Sequence, residues 1–124
     1  MKYFLLFISL TIFITTHLSA QNKAVLDQVE EIEKAVTKEF EIAMQAPEGS
    51  LFLFSQELSI EGAYTFKISI GDKNKVTSVF VLEREGGDIR MQNKVKDAVK
   101  DFKFDSFKVA KGKHYNIKYT FNFN

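Results

Sequence analysis

Apolar and polar residues alternate without a break along the last stretch of the chain, residues 114–124. The polar positions carry histidine, asparagine, lysine and threonine. The apolar positions are Tyr115, Ile117, Tyr119, Phe121 and Phe123. A period of two is typical of a β-strand with one buried and one solvated face. The pattern therefore predicts a half-buried strand that packs its aromatic side against a helix.

A second pattern has the spacing of three and four residues that marks an amphipathic helix. It predicts a helix within residues 21–47, ended by Pro47 and Gly49. The apolar stripe of this helix consists of Val25, Val29, Ile32, Val36, Phe40 and Ala43. We expect the stripe to pack on a sheet, and pairing with another chain is the alternative.

Three apolar segments in the middle of the chain read as strands. They are Leu51–Glu57, Ala63–Ile70 and Val76–Arg84, and residues 71–75 between the last two predict a hairpin turn. Because Val76–Arg84 is apolar on both faces, we predict a central position for it in the sheet.

Residues 89–104 follow with helical spacing, and Asp88 is placed to cap the helix N-terminus. The predicted fold class is therefore α+β. It comprises a leading amphipathic helix and then β-β-β-α-β, a small sheet backed by one helix. The last five elements form one domain over residues 48–124.

The N-terminal residues 1–20 have the pattern of a targeting segment. Lys2 precedes an apolar run over residues 3–14, and Ser19 and Ala20 suit a cleavage before Gln21. We predict a cleaved signal peptide, with an uncleaved membrane anchor as the alternative. The chain has no cysteine, so a lipid-anchored lipoprotein is excluded. The expected localisation is the periplasm or the exterior of the cell, and a bacterial cell envelope is favoured.

Charge divides the chain in two. Residues 21–66 carry three lysines against nine acidic residues, a net charge of −6, whereas residues 67–124 carry thirteen basic residues against seven acidic ones, a net charge of +6. The acidic part includes the leading helix. Solvated faces and a charged docking surface are both consistent with this division.

Residues suited to catalysis are few. His114 is the one histidine after residue 20, and without cysteine a usual zinc site or a Ser-His-Asp arrangement has little support. Glu83 and Glu85 lie two apart at a strand end, and Gly86-Gly87 lacks the lysine and hydroxyl of a phosphate loop. We expect no enzyme activity, no metal, no cofactor and, given export, no nucleic-acid partner.

The order and spacing of residues 64–123 resemble the TonB C-terminal domain family. The matching features are Asp72-Lys-Asn-Lys-Val76 before a strand, Gly86-Gly87 before a helix, Phe102-Lys-Phe104 at its end, and Lys111-Gly-Lys113 before a last strand with alternating aromatics. Asp105 stands where the family usually has proline.

The resemblance implies a periplasmic domain that binds an extended segment of an outer-membrane receptor by adding a strand at a sheet edge. The chain has one proline, so it resembles the binding domain without the transducer's proline-rich span. Membrane contact is expected only through the signal segment. The resemblance suggests the last strand as the partner site, through Tyr115, Ile117, Tyr119 and Phe121.

The predicted function is thus an exported periplasmic adaptor that binds an extended segment of a cell-envelope protein. The alternative is an accessory or inhibitor subunit of an envelope complex that docks through the acidic helix, at Glu30, Glu33 and Glu41. Association with a second copy of the chain stays open.

Overall fold

A computed structural model describes residues 25–124, so the predicted signal peptide and residues 21–24 lie outside the described residues. The elements are β1 (Val25–Leu26), α1 (Val29–Ala43), α2 (Ser50–Leu58), β2 (Ala63–Gly71), β3 (Lys75–Glu85), α3 (Ile89–Lys100), β4 (Lys108–Val109) and β5 (Tyr115–Asn122). The α+β class is confirmed, with a small antiparallel sheet packed against helices. Within residues 25–124, no helix has the length and apolar character needed to cross a membrane.

The main sheet has three strands in the order β3-β2-β5, and β2 pairs antiparallel with both neighbours. The β2–β5 register runs unbroken from Ala63 opposite Asn122 to Ile70 opposite Tyr115. The β2–β3 register shifts twice, between Thr65 and Phe66 and again near Ile70. The sheet is therefore regular on its β5 side and irregular on its β3 side.

The central position predicted for β3 is wrong, because β3 lies at a sheet edge. The prediction counted two apolar residues as buried, and the structure leaves both in solvent. Phe80 is on the solvent-facing side of the sheet, where the Lys67 ammonium lies 5.4 Å from its ring centroid. Leu82 falls at a register shift, has no partner on β2 and is 51% exposed.

The strand predicted over Leu51–Glu57 is also wrong, since these residues belong to helix α2. Leu51 and Ser55, four residues apart, are buried, which is a helical spacing. Ser59 ends the helix in the left-handed conformation, and the N–H of Ile60 donates to the carbonyl oxygen of Ser55 at 2.9 Å. A short apolar run fits either element, so its periodicity could not distinguish them.

Helix α1 packs on the buried face of the sheet beside β5. The predicted stripe is confirmed at Ile32, Val36, Phe40 and Ala43, which are buried. It is wrong at Val25 and Val29, whose side chains are 64% and 56% exposed. The helix is shorter than predicted because β1 precedes it and pairs parallel with β4. The two-stranded β1–β4 sheet and helix α1 together attach the start of the described chain to the segment before β5.

Helix α3 packs beside β3 on the same face of the sheet. Its predicted cap is confirmed, since the Asp88 carboxylate accepts a hydrogen bond from the Met91 N–H at 2.8 Å. The helix ends at Lys100 rather than Phe104. The chain turns there because Phe102 and Phe104 pack on Phe40, with ring centroids 5.0 and 5.3 Å away.

Candidate partner-binding edge of the sheet

Strand β5 forms one edge of the main sheet, and its aromatic side faces the core. Tyr115, Ile117 and Phe121 are buried, and Tyr119 is half-buried. The Phe40 ring of α1 lies 5.1 Å from the ring of Tyr119 and 4.9 Å from that of Phe121. The four residues suggested as the partner site thus place their side chains in the core, and their role in binding stays a prediction.

One hydrogen bond at the end of β5 shows which of its backbone N–H and C=O groups point towards β2. The N–H of Phe123 donates to the carbonyl oxygen of Gly62 at 2.9 Å. Backbone groups of an antiparallel strand point alternately to either side, so every second residue from Phe123 back to Tyr115 hydrogen-bonds with β2. The residues between them direct N–H and C=O away from β2: Asn116, Lys118, Thr120 and Asn122.

The sequence pattern did not predict that the backbone groups of these four residues face outward. The alternation of β5 shows which side chains are buried, but the direction of each N–H depends on the pairing with β2. Within residues 25–124, β5 pairs with no strand other than β2. The outward backbone groups therefore form a row that an extended peptide can continue.

The two edges of the sheet differ in regularity. The β5 edge continues through eight register pairs without a shift. Shifts such as the two in β3 bend a strand and interrupt pairing, and edge strands use them to resist the addition of another chain. The β5 edge is therefore the better template for a straight added strand.

Both ends of β5 are held in place. The Tyr115 hydroxyl donates to the carbonyl oxygen of Asp27 at 3.0 Å. At the other end, the N–H of Gly62 donates to the side-chain oxygen of Asn124 at 3.1 Å. A strand fixed at both ends loses little conformational entropy when a partner adds to it.

The solvent-facing side of β5 continues a polar surface of β2. The hydroxyls of Thr65 and Thr120 are 2.8 Å apart, and the Ser69 hydroxyl donates to the Asn116 side-chain oxygen at 2.5 Å. Between these pairs, Lys67 lies directly opposite Lys118. This side of the edge is thus polar and carries positive charge.

The helix side of the same edge carries charges of both signs. Glu39 on one side of α1 accepts hydrogen bonds from the Asp105 N–H and the Ser106 hydroxyl, both at 2.9 Å, so this side faces the segment after α3. The opposite side is here called the outer flank of α1, and it is lined by Glu30, Glu33, Lys34, Thr37, Lys38 and Glu41. Since α1 packs beside β5, the outer flank runs along the β5 edge.

Tyr119 connects the outer flank with the edge. Burial raises the pKa of the Tyr119 hydroxyl above its usual value of 10.0, and the negative charge of Glu41 raises this pKa further. The Glu41 carboxylate therefore acts on the residue of β5 that lies between Lys118 and Thr120. Partner side chains on the helix side of an added strand would meet the same negative charge.

The other candidate residues lie apart from this edge. His114 is exposed just before β5, with its ring against Gly71. Glu83 and Glu85 are exposed at the end of β3, and Gly86 and Gly87 adopt positive φ in the turn to α3. Within the described part of the chain, no group of three or more histidines and carboxylates is placed to hold a metal ion.

Comparisons of the chain with protein-family models, with curated proteins and with solved structures find no match in any of the three. The resemblance of residues 64–123 to the TonB C-terminal domain family thus stays a prediction from residue order and spacing. The function is therefore inferred from the geometry of the β5 edge.

Proposed function

We propose that this protein is an exported protein-binding module of the cell envelope, acting as an adaptor that takes up an extended segment of a partner protein at the β5 edge. The partner segment would pair its backbone with the outward N–H and C=O groups of β5. Main-chain hydrogen bonds supply the affinity in this mode of binding, and contacts of alternate side chains supply specificity. No catalytic step is proposed.

The single observation that carries the proposal is the unbroken register of β5 at a sheet edge. A helix covers one face of the strand and leaves its other face in solvent. The resemblance to the TonB C-terminal family supports the same mode and suggests an outer-membrane receptor as the source of the segment. The predicted signal peptide supports the envelope location.

Removal of one outward N–H tests strand addition. Proline at position 118 deletes this N–H but leaves the hydrogen bonds between β5 and β2, and edge strands accept proline at such positions. We expect Lys118→Pro to abolish partner binding while the fold persists. Lys118→Thr keeps the N–H and removes the same charge, so it should retain binding. Arg84→Pro removes the corresponding N–H from the β3 edge and serves as the control for position.

The measurement is photo-crosslinking in intact cells, with the crosslinking residue at Asn116 beside the β5 edge or at Arg84 beside the β3 edge. We expect an adduct from Asn116 that Lys118→Pro removes and Lys118→Thr preserves. An adduct that survives Lys118→Pro would overturn the proposal. If the surviving adduct is removed by Glu33→Lys, the acidic helix alone is the docking surface.

A further inference from the structure

We infer that the segment bound at β5 carries an acidic side chain, aspartate or glutamate, beside Lys118 on the solvent-facing side of the sheet. This inference rests on the proposed function and specifies the chemistry of the partner. The side chains of a strand point alternately to the two faces of a sheet. Every second side chain of an added strand would therefore lie on the same side as Lys118, and the others would lie towards α1.

The two sides of the edge differ in the charge that they present. The outer flank of α1 is lined by three glutamates and two lysines, so the helix side does not select one charge. On the solvent-facing side, β5 is positive. No acidic residue occurs from His114 to Asn124, and Lys118 is the one lysine of the strand. The solvent-facing side is therefore the side on which charge can select a partner.

A second lysine adds to the positive charge beside Lys118. Lys67 on β2 lies directly opposite Lys118, and like charges in such a pair repel. The Lys67 ammonium lies 5.4 Å from the ring centroid of Phe80, so it is attracted towards β3, the strand farther from the partner edge. A carboxylate on an added strand would give Lys118 an attractive neighbour on the side away from Lys67. A basic residue there would increase the repulsion.

The acidic residues on this side of the sheet belong to the opposite edge. Glu83 on β3 lies opposite Thr65 of β2, which in turn lies opposite Thr120 of β5. Two interstrand spacings, about 10 Å, therefore separate the backbone at Glu83 from that of β5. Salt largely screens exposed charges at such a separation. Glu83 thus leaves the positive charge at Lys118 available to a partner.

A second β5 strand cannot supply the carboxylate. Pairing of two β5 strands around a two-fold axis brings the same residues of two copies together. Since β5 has no acidic residue, Lys118 would gain no opposite charge from the second strand, and the two copies of Lys118 would lie on the same side of the joined sheet. The charges at this edge thus favour an acidic segment of a different protein.

The test is selection of binding sequences from a displayed library of random linear peptides, on the protein as the cell produces it and on its Lys118→Glu variant. We expect the parent protein to enrich aspartate or glutamate at one fixed position. Lys118→Glu should enrich lysine or arginine at that position and bind the acidic peptides about tenfold more weakly, because an attraction becomes a repulsion. Arg84→Glu reverses a charge at the β3 edge and should leave binding unchanged.

A neutral variant separates the charge of Lys118 from its N–H. Lys118→Thr should bind the acidic peptides about threefold more weakly and still retain them, since only an exposed ion pair is lost. In a peptide with the amide in place of the acidic residue, the same substitution should have no effect. The two changes together form a double-mutant cycle for this pair.

The outcomes separate this inference from the proposed function. Enriched peptides that Lys118→Pro no longer binds, but that carry no fixed acidic residue, would refute the inference and leave strand addition standing. Acidic peptides that bind Lys118→Pro as well as the parent protein would refute strand addition, and the inference with it. Equal weakening by Arg84→Glu and Lys118→Glu would show a general charge effect and would also refute the inference. If no peptide is enriched, both statements fail.

Discussion

At the scale of single residues, Asn74 has the most connections in the turn between β2 and β3. Its side-chain oxygen accepts a hydrogen bond from the Val109 N–H at 2.8 Å. Its amide nitrogen donates to the carbonyl oxygens of Phe104, at 3.3 Å, and of Phe107. One side chain thereby fixes the segment that leads from α3 through β4 to β5.

Asn74→Gly isolates the contribution of these hydrogen bonds, since Asn74 has a φ of 57° that glycine adopts easily. We expect the free energy of unfolding to fall by about 2–3 kcal/mol, because three partly buried backbone groups lose their partner. Chemical denaturation measures the change.

Lys73→Gly is the matched control for this substitution. Lys73 also has a positive φ, of 63°, but its side chain is exposed. We expect its unfolding free energy to change by less than about 0.5 kcal/mol. Equal losses in the two variants would contradict the structural role of the Asn74 side chain.

At the scale of elements, Phe40 supplies the aromatic part of the contact between α1 and the sheet. Phe40 is fully buried, and its ring centroid lies within 5.3 Å of those of four other aromatic residues: Phe102, Phe104, Tyr119 and Phe121. These neighbours come from β5 and from the segment after α3. Together with the rest of the buried stripe, Phe40 therefore fixes where α1, and with it the outer flank, lies beside β5.

Phe40→Ala should lower the free energy of unfolding by about 3–5 kcal/mol, through lost burial and the cavity left behind. The neighbouring Ile42, 55% exposed on the same helix, is the control, and Ile42→Ala should cost about 0.5 kcal/mol or less. Denaturant titration followed by circular dichroism gives both values. Similar losses at the two positions would mean that α1 does not depend on this aromatic contact.

At the scale of the whole molecule, the two edges of the sheet should be visible in amide hydrogen exchange. On β5, the N–H groups that bond to β2 should exchange slowly, and those of Asn116, Lys118 and Thr120 should exchange quickly. On β3, the same register argument predicts slow exchange at Phe80 and fast exchange at Val79, although the Val79 side chain is buried.

NMR-detected exchange on the protein alone and with a peptide of the segment crosslinked at Asn116 checks this pattern. Added peptide should protect Asn116, Lys118 and Thr120 and leave Val79 unchanged. Slow exchange at these β5 positions without peptide would show that the outward N–H groups are already bonded, and the edge would then be unavailable.

Features that depend on neighbouring residues in the chain were predictable from the sequence. The burial of alternate β5 side chains, the stripe of α1 from Ile32 to Ala43 and the Asp88 cap each follow from local spacing, and each is confirmed. Segment 51–57 was not predictable in this way, because a short apolar run satisfies both a strand and a helix. The edge position of β3 also depends on which strand pairs with β2.

The partner edge depends on contacts between distant parts of the chain. The period of two in β5 decides which side chains enter the core, because side-chain direction is a property of the strand itself. Which backbone groups face outward depends on the pairing of β5 with β2, more than forty residues earlier in the chain. The outer flank of α1 lies beside that edge because the buried stripe of α1, with Phe40 on Tyr119 and Phe121, packs on the sheet. Local patterning thus sets the buried faces, and long-range packing sets the surface that remains for a partner.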